Sequence, residues 1–385
     1  MDAAAHERQS PQLHGLVTPR RAVAALLLAC VAASLLAGIA GGLLRVGIAL
    51  APADAGWLGR AALAHAALMM CGFMGTVIGI ERAVAFKHRA AWSAPVASGL
   101  AGLALLNGAD ALAAWLLVAA ATAFVGVNLL LLQRQRASHT GLLLVSAAAW
   151  FVGNVLFAAG ASPVAVLPWW FAFLVMTIAA ERLEMTRLMR RRPGAQPALY
   201  VVLAVLVLGA AASSASPLAG GLLLGLALMA LSAWLFTFDI ARRTVRADGL
   251  SRYMAICLLS GYVWLALGGL GWAATAIGLP ARDLALHGLG LGFIVSMIMG
   301  HAPVILPAVA RVKLLWGPLF YLPLAALHGS LLLRLAGGFA DFQWRAQGAL
   351  FNALAIALFA LTVAGSAFAW RRRHRPPAVA REKTS

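Results

Sequence analysis

The sequence predicts an all-α integral membrane protein of twelve transmembrane helices. Three observations carry this expectation. Of 385 residues, 63% are hydrophobic and only 11% charged, a balance found in bundles of membrane-spanning helices and not in soluble domains of this length. Twelve apolar stretches approach or exceed the about 20 residues that a span requires. The loops between them alternate in charge, and 25 of the 30 Lys and Arg residues fall on one side.

The stretches cover residues 22–49, 61–84, 93–109, 111–133, 140–160, 163–185, 198–215, 217–238, 250–278, 284–309, 314–336 and 347–370. The first follows 21 polar, basic residues and is long enough to remain as a membrane helix rather than a cleaved signal. The third and seventh are short. Lys87 and Arg89 follow the second stretch, Arg134 and Arg136 the fourth, and Arg187, Arg190, Arg191 and Arg192 the sixth. Arg242, Arg243, Arg246 and Arg252 follow the eighth, Arg311 and Lys313 the tenth, and Arg371, Arg372, Arg373 and Arg375 the twelfth. Only Arg45, Arg60, Arg282, Arg334 and Arg345 fall on the other side. The positive-inside rule then puts both termini in the cytoplasm of a bacterium, with the chain crossing its inner membrane twelve times. The expected organisation is a basic cytoplasmic segment 1–21, a transmembrane domain 22–370 and a basic cytoplasmic tail 371–385. The net charge of +18 sits in short loops beside membrane lipid, which excludes a nucleic-acid-binding domain. Cys30, Cys71 and Cys257 all lie in apolar runs and form no CxxC motif. Cys71, near the methionines of the second span, is a soft-metal ligand or a small buried hydrophobe.

A weak repeat recurs at every fourth span. Phe73 precedes Glu81 by eight residues, Phe173 precedes Glu181 by eight, and Phe293 precedes His301 by eight. Three four-helix units about a pseudo-threefold axis would produce this; so would chance. With the repeat, Glu81, Glu181 and His301 share a depth near the cytoplasmic face. They are either interfacial charges neutralised by neighbours such as Arg82 and Arg182, or members of a proton relay.

The tenth stretch holds two of the four histidines that lie well inside apolar runs. His287 and His301 are 14 residues apart, roughly 21 Å along an α-helix and about 40° around it, so one helix face would carry an imidazole near each side of the membrane. His65 and His287 both lie about four residues into their spans from the outer end, and His328 lies about eight residues before the outer end of the eleventh. Imidazole is the common axial ligand of haem and also suits copper. Gly288, Gly290 and Gly292 leave room for a macrocycle beside His287, or else let helices approach, as small-xxx-small patterns do. Met69, Met70, Met74, Met297 and Met299 offer thioether ligands or core filling. On the outer side, Trp344-Arg345, with Arg60 or Arg282, are candidates for pairing with haem propionates.

Twelve spans with outer histidines on the second and tenth resemble the haem-copper oxidase catalytic subunits. That resemblance implies His65 and His287 as axial ligands of a low-spin haem, and Trp344-Arg345 as the pair holding the propionates. The chain is similar, too, to the NnrS family, twelve-span haem- and copper-containing proteins linked to nitric oxide stress in bacteria. It departs from the oxidases where they bind copper: the sixth span carries Trp169 and Trp170, the seventh has no histidine, and Leu289 stands where the tenth span's second histidine would be. An oxygen-reducing binuclear centre is therefore not expected. The expected function is haem binding (b-type), with or without copper at His65, His287, His328 and Met69, serving electron transfer with a redox partner protein, or nitric oxide or metal stress. The rival is a proton-coupled secondary transporter using His301, Glu81 and Glu181.

Overall fold

The computed structural model describes residues 19–50, 56–185 and 193–374. Residues 1–18, the loop with Arg187, Arg190, Arg191 and Arg192, and the tail beyond His374 lie outside the described residues, as do most of the expected segment 1–21 and the tail with Arg375. Among the described residues the regular structure is all helical, with no strand, as unbroken apolar runs with no alternating pattern require.

Each expected stretch forms a helical rod. These are α1 (Pro19–Arg45), α2 (residues 56–86), α3 (Ser93–Leu106), α4 (Asp110–Arg134), α5 (Ser138–Ala158) and α6 (Pro163–Met185). They continue as α7 (Ala195–Ala212), α8 (Pro217–Phe238), α9 (Gly249–Ala276), α10 (Arg282–Val309), α11 (Pro318–Ala340) and α12 (Phe342–Arg373). Among the described residues eleven are long and apolar enough to cross a membrane; α3, at 14 residues, is the exception. Its C-terminus is fixed by Asn107, which caps it, and by Gly108 at φ 76°, where a side chain would be strained.

Successive rods pack side by side in alternating direction, and α12 returns against α1 through Leu43, Val46 and Ala349. The bundle thus has a terminal face, where α1 begins and α12 ends, and a distal face. Its middle is formed by α2, α6 and α10. Of the eleven long helices, α6 is the most enclosed and α12 the least, with 78% and 6% of their most apolar stretches buried. Phe173 and Phe293 are fully buried here, with Phe173 stacked on Trp150 at 5.0 Å.

Two of the central helices are irregular in the same place. After His65, α2 turns π-helical over Leu68–Gly75; after His287, α10 does so over Gly288–Val295. A π turn admits one extra residue and is frequently found at functional sites. Both end at a hydroxyl that bonds back one turn: Thr76 to the Gly72 carbonyl at 2.7 Å, and Ser296 to the Gly292 carbonyl at 2.6 Å. Because α10 carries this insertion, the straight-helix expectation for His287 and His301 fails. One added residue rotates the remainder of the helix by about 100°, so the two imidazoles serve different faces of it.

Candidate functional site

In the distal half, α1, α2, α6, α10 and α12, with Arg334 of α11, enclose a cavity of about 990 Å³ of empty space, its open side included. Its walls are Ile39, Leu43, Leu167, Phe171, Leu286, Ile356 and similar apolar side chains. The polar groups that reach it are His65, His287, Arg334 and Asn352. Met69, Met70 and Met74 line it as well, whereas Met297 and Met299 are buried in packing elsewhere.

His65 and His287 face each other with ring centroids 6.3 Å apart and planes inclined by 32°. Two metal–imidazole bonds of about 2 Å, plus about 1.1 Å from each nitrogen to its ring centre, put two imidazoles that share one ion about 6.2 Å apart. The observed spacing is that of a pair able to clasp a metal between them. Each ring is oriented by its other nitrogen: His65 Nδ1 donates to the Gly38 carbonyl at 2.7 Å, and His287 Nδ1 to Asp283 Oδ1 at 2.7 Å. Such bonds fix the tautomer that presents Nε2 as the ligand. Arg334 Nη2 is 3.1 Å from both nitrogens of His287. In the ring plane that point would collide with Cε1, so the guanidinium lies over the ring face, within reach of both nitrogens.

The backbone makes room for this pair. A Cβ on Gly42 would come within 2.8 Å of His65 Cε1, so α1 passes the imidazole only as glycine. The three glycines after His287 divide: Gly288 faces Gly268 and Gly292 faces Trp264, both helix contacts, while Gly290 has nothing within 4 Å of its Cβ position and opens onto the cavity.

Above the pair, Asp283 accepts from Arg334 Nη2 at 2.9 Å and Nε at 3.0 Å, and lies 3.8 Å from Arg345. Arg345 Nη2 donates to the Gly338 carbonyl, but its Nε is buried without a partner. Arg45, at the end of α1, donates to the Ala62 carbonyl and acts electrostatically on His65. Of these guanidiniums only Arg334 lines the cavity, and it is paired with Asp283. Of the other expected contributors, Trp344 points outward, 47% exposed; Arg60 caps the Leu106 carbonyl at 2.7 Å; Arg282 is exposed.

His328 is not brought to this pair. It accepts from Trp264 Nε1 at 2.9 Å through Nδ1 and pairs with Ser260 through Nε2 at 3.0 Å, both on α9, so each ring nitrogen is occupied. Cys71 is likewise absorbed in packing: it receives Trp150 Nε1 at 3.4 Å and lies 3.6 Å from Asn154, which also accepts from Trp170. Among the described residues no three His, Cys, Asp or Glu side chains converge on one point.

At the terminal end of the same three central helices, Glu81, Glu181 and His301 come together with both neighbouring arginines. Arg82 Nη2 is 2.8 Å from Glu181 and 3.7 Å from Glu81, and Arg182 holds Asp239 through two bonds at 2.7 and 3.0 Å. Arg182 Nη1 is 3.5 Å from His301 Nε2. Sequence reasoning misses Asp239, Asp283 and Arg334. Two of these carry a signal: Arg334 is a charge within an apolar run, and Asp283 stands four residues before His287, one helical turn away.

No curated protein and no solved structure matches the chain. A family model does match, along residues 22–368, nearly the whole length. On that match the chain belongs to the family described as Domain of unknown function (DUF8744).

Proposed function

We propose that this chain is a twelve-crossing protein of a bacterial inner membrane that binds a b-type haem between His65 and His287, with its distal face toward the periplasm and both termini in the cytoplasm. The observation that carries the reading is the 6.3 Å spacing of two imidazoles, each anchored at Nδ1. Three further features support it. The cavity beside the rings is apolar. Arg334 at its distal end and Arg345 nearby are guanidiniums of the kind that pair with propionates, and Arg345 Nε has no hydrogen-bond acceptor. The positive-inside distribution of Lys and Arg orients the bundle, with the short α3 counted as the twelfth crossing.

Haem held in this way would supply one-electron transfer, drawn from or passed to a redox partner protein, as in the NnrS-like role in nitric oxide or metal stress; dioxygen reduction is not part of the proposal. This chain's residues would do the rest. His65 and His287 ligate, Asp283 and the Gly38 carbonyl hold the ring orientations, Arg334 and Arg345 bind carboxylates, and α1 and α12 exclude water. A copper ion is the second candidate occupant, because Met69 lines the same cavity. The pseudo-threefold arrangement of four-helix units remains part of this proposal, supported by the meeting of α2, α6 and α10. A proton-coupled transporter is the competing class, and the ionic network at the terminal face speaks for it.

The deciding experiment is the visible spectrum of the detergent-purified chain expressed with ample haem, together with metal analysis. A six-coordinate low-spin Soret spectrum is expected, becoming high-spin in either His65→Ala or His287→Ala and absent in the double variant. A colourless protein, or a spectrum indifferent to both substitutions, overturns the reading; substrate-dependent proton uptake by colourless protein would establish the transporter instead.

A further inference from the structure

The network at the terminal face is not used by the haem reading, and its construction points to a purpose of its own. Met74, Leu174 and Ile294 each precede a member of the Glu81, Glu181, His301 set by seven residues, and all three line the cavity. The cavity lining therefore reaches one level of α2, α6 and α10. About 10 Å further along the same helices, two turns on, lies a level of titratable groups.

The charges at that level do not balance. Asp239 and Arg182 form a closed pair, with Asp239 fully buried, and Tyr262 acts on both. Glu81 and Glu181 are left with Arg82 between them, one cation for two carboxylates. Both glutamates keep about a third of their side chains exposed, at 30% and 29%. Arg82 is about nine-tenths buried, and its Nε has no acceptor. A guanidinium with an unmatched donor can shift between two acceptors at little cost. His301 faces the group from α10, its Nδ1 tied to the Met297 carbonyl at 2.7 Å, and the neighbouring pair His139–Glu184 at 3.7 Å completes the charged surroundings.

We propose that Glu81 and Glu181, bridged by Arg82, form a site for one exchangeable proton, taken from water at the terminal face. The step is a simple transfer: a hydrated proton forms an O–H bond with a carboxylate oxygen and returns to water when that bond breaks, with no change of oxidation state. The excess negative charge disappears when the proton is bound, and Arg82 then pairs with the carboxylate that remains ionised. The site does not depend on what occupies the cavity.

Infrared difference spectroscopy of the full chain in lipid nanodiscs, titrated over the pH range in which it stays folded, tests this without any cofactor. The expected result is a protonated-carboxyl stretch that titrates, shifts in D₂O, and is lost in both Glu81→Gln and Glu181→Gln, with one proton per chain fewer taken up. Glutamine still accepts from Arg82, so both variants should fold. Glu181→Asp, which keeps an acid, should move the band rather than remove it, and Glu184→Gln should leave it unchanged. Absence of a titrating carboxyl band, its survival in both glutamine variants, or its loss in Glu184→Gln overturns the proposal and leaves the cluster as an ionic tie between α2 and α6.

Discussion

Asp283 is the residue on which most of the distal site turns, and removing it should be felt twice. Its two oxygens take three short bonds: from His287 Nδ1 at 2.7 Å, and from Arg334 at 2.9 and 3.0 Å. In Asp283→Ala, Arg334 keeps its place in the bundle, about nine-tenths buried, with no anion beside it. Stripping one partner from a buried ion pair costs about 3–5 kcal/mol. A fifth of Asp283 is exposed, so water offsets part of this, and about 2–3 kcal/mol is expected. Thermal inactivation in one fixed detergent is the suitable assay, since large membrane proteins seldom unfold reversibly. If the loss falls on the unfolding barrier, about 2 kcal/mol shortens the half-life roughly 30-fold. Arg334→Met alone should cost a similar amount, and the double variant far less than the sum, with a coupling of about 1.5–3 kcal/mol. The second effect is on the imidazole. Without the carboxylate, His287 loses the bond that fixes its tautomer, and cofactor affinity should drop about 10–100-fold. Asp283→Asn separates the two effects: it can still accept from His287 but sets an amide against Arg334 Nε. Additive losses in the Asp283–Arg334 cycle, or wild-type haem affinity in Asp283→Ala, would refute this account of the site.

Gly290→Leu should leave the protein folded, because its Cβ position meets nothing within 4 Å, yet fill the cavity and abolish cofactor retention, as read from the haem-to-protein absorbance ratio. His328→Ala should keep the wild-type spectrum while costing about 1–3 kcal/mol, the loss left by an unpartnered Trp264 Nε1, as read by thermal inactivation. Asp239→Ala strands Arg182, whose side chain is only 5% exposed; a cost of about 3–5 kcal/mol should show as lost yield of folded protein, with recovery in Arg182→Met/Asp239→Leu.

The helices are largely legible in the sequence, for a plain reason: length and hydropathy settle where a chain can lie in lipid. The stretches 163–185 and 217–238 coincide with α6 and α8. The eleventh stretch spans 314–336, yet α11 begins four residues later, because residues 314–317 are apolar but not helical, and the helix waits for Pro318 at its first turn. Depth is legible too, which is why His65 and His287 can be named from position alone. Azimuth is not. His328 has a depth near theirs, yet it faces Ser260 and Trp264 of α9, and no count along a single helix reveals that. Met69 does share the cavity with His65, since four residues is one turn, although the π segment begins beside it.

The π turns decide what the two ends of α10 can do. On a regular helix His287 and His301 would share a stripe, and any partner for one would stand on the same side as the partner for the other. The extra residue between them lets α10 turn His287 toward α2 while His301 meets Arg182 of α6. α2 has its own π segment between His65 and Glu81, so the ring lines the cavity while Arg82 beside Glu81 reaches Glu181 of α6. A π turn is rare within α-helices, and two of them, eight residues each and ending in the same hydroxyl bond, are a standing cost that tight packing alone does not require. What they provide is independence: the distal pair of imidazoles and the terminal set of charges each gain the facing they need from one continuous, well-buried frame.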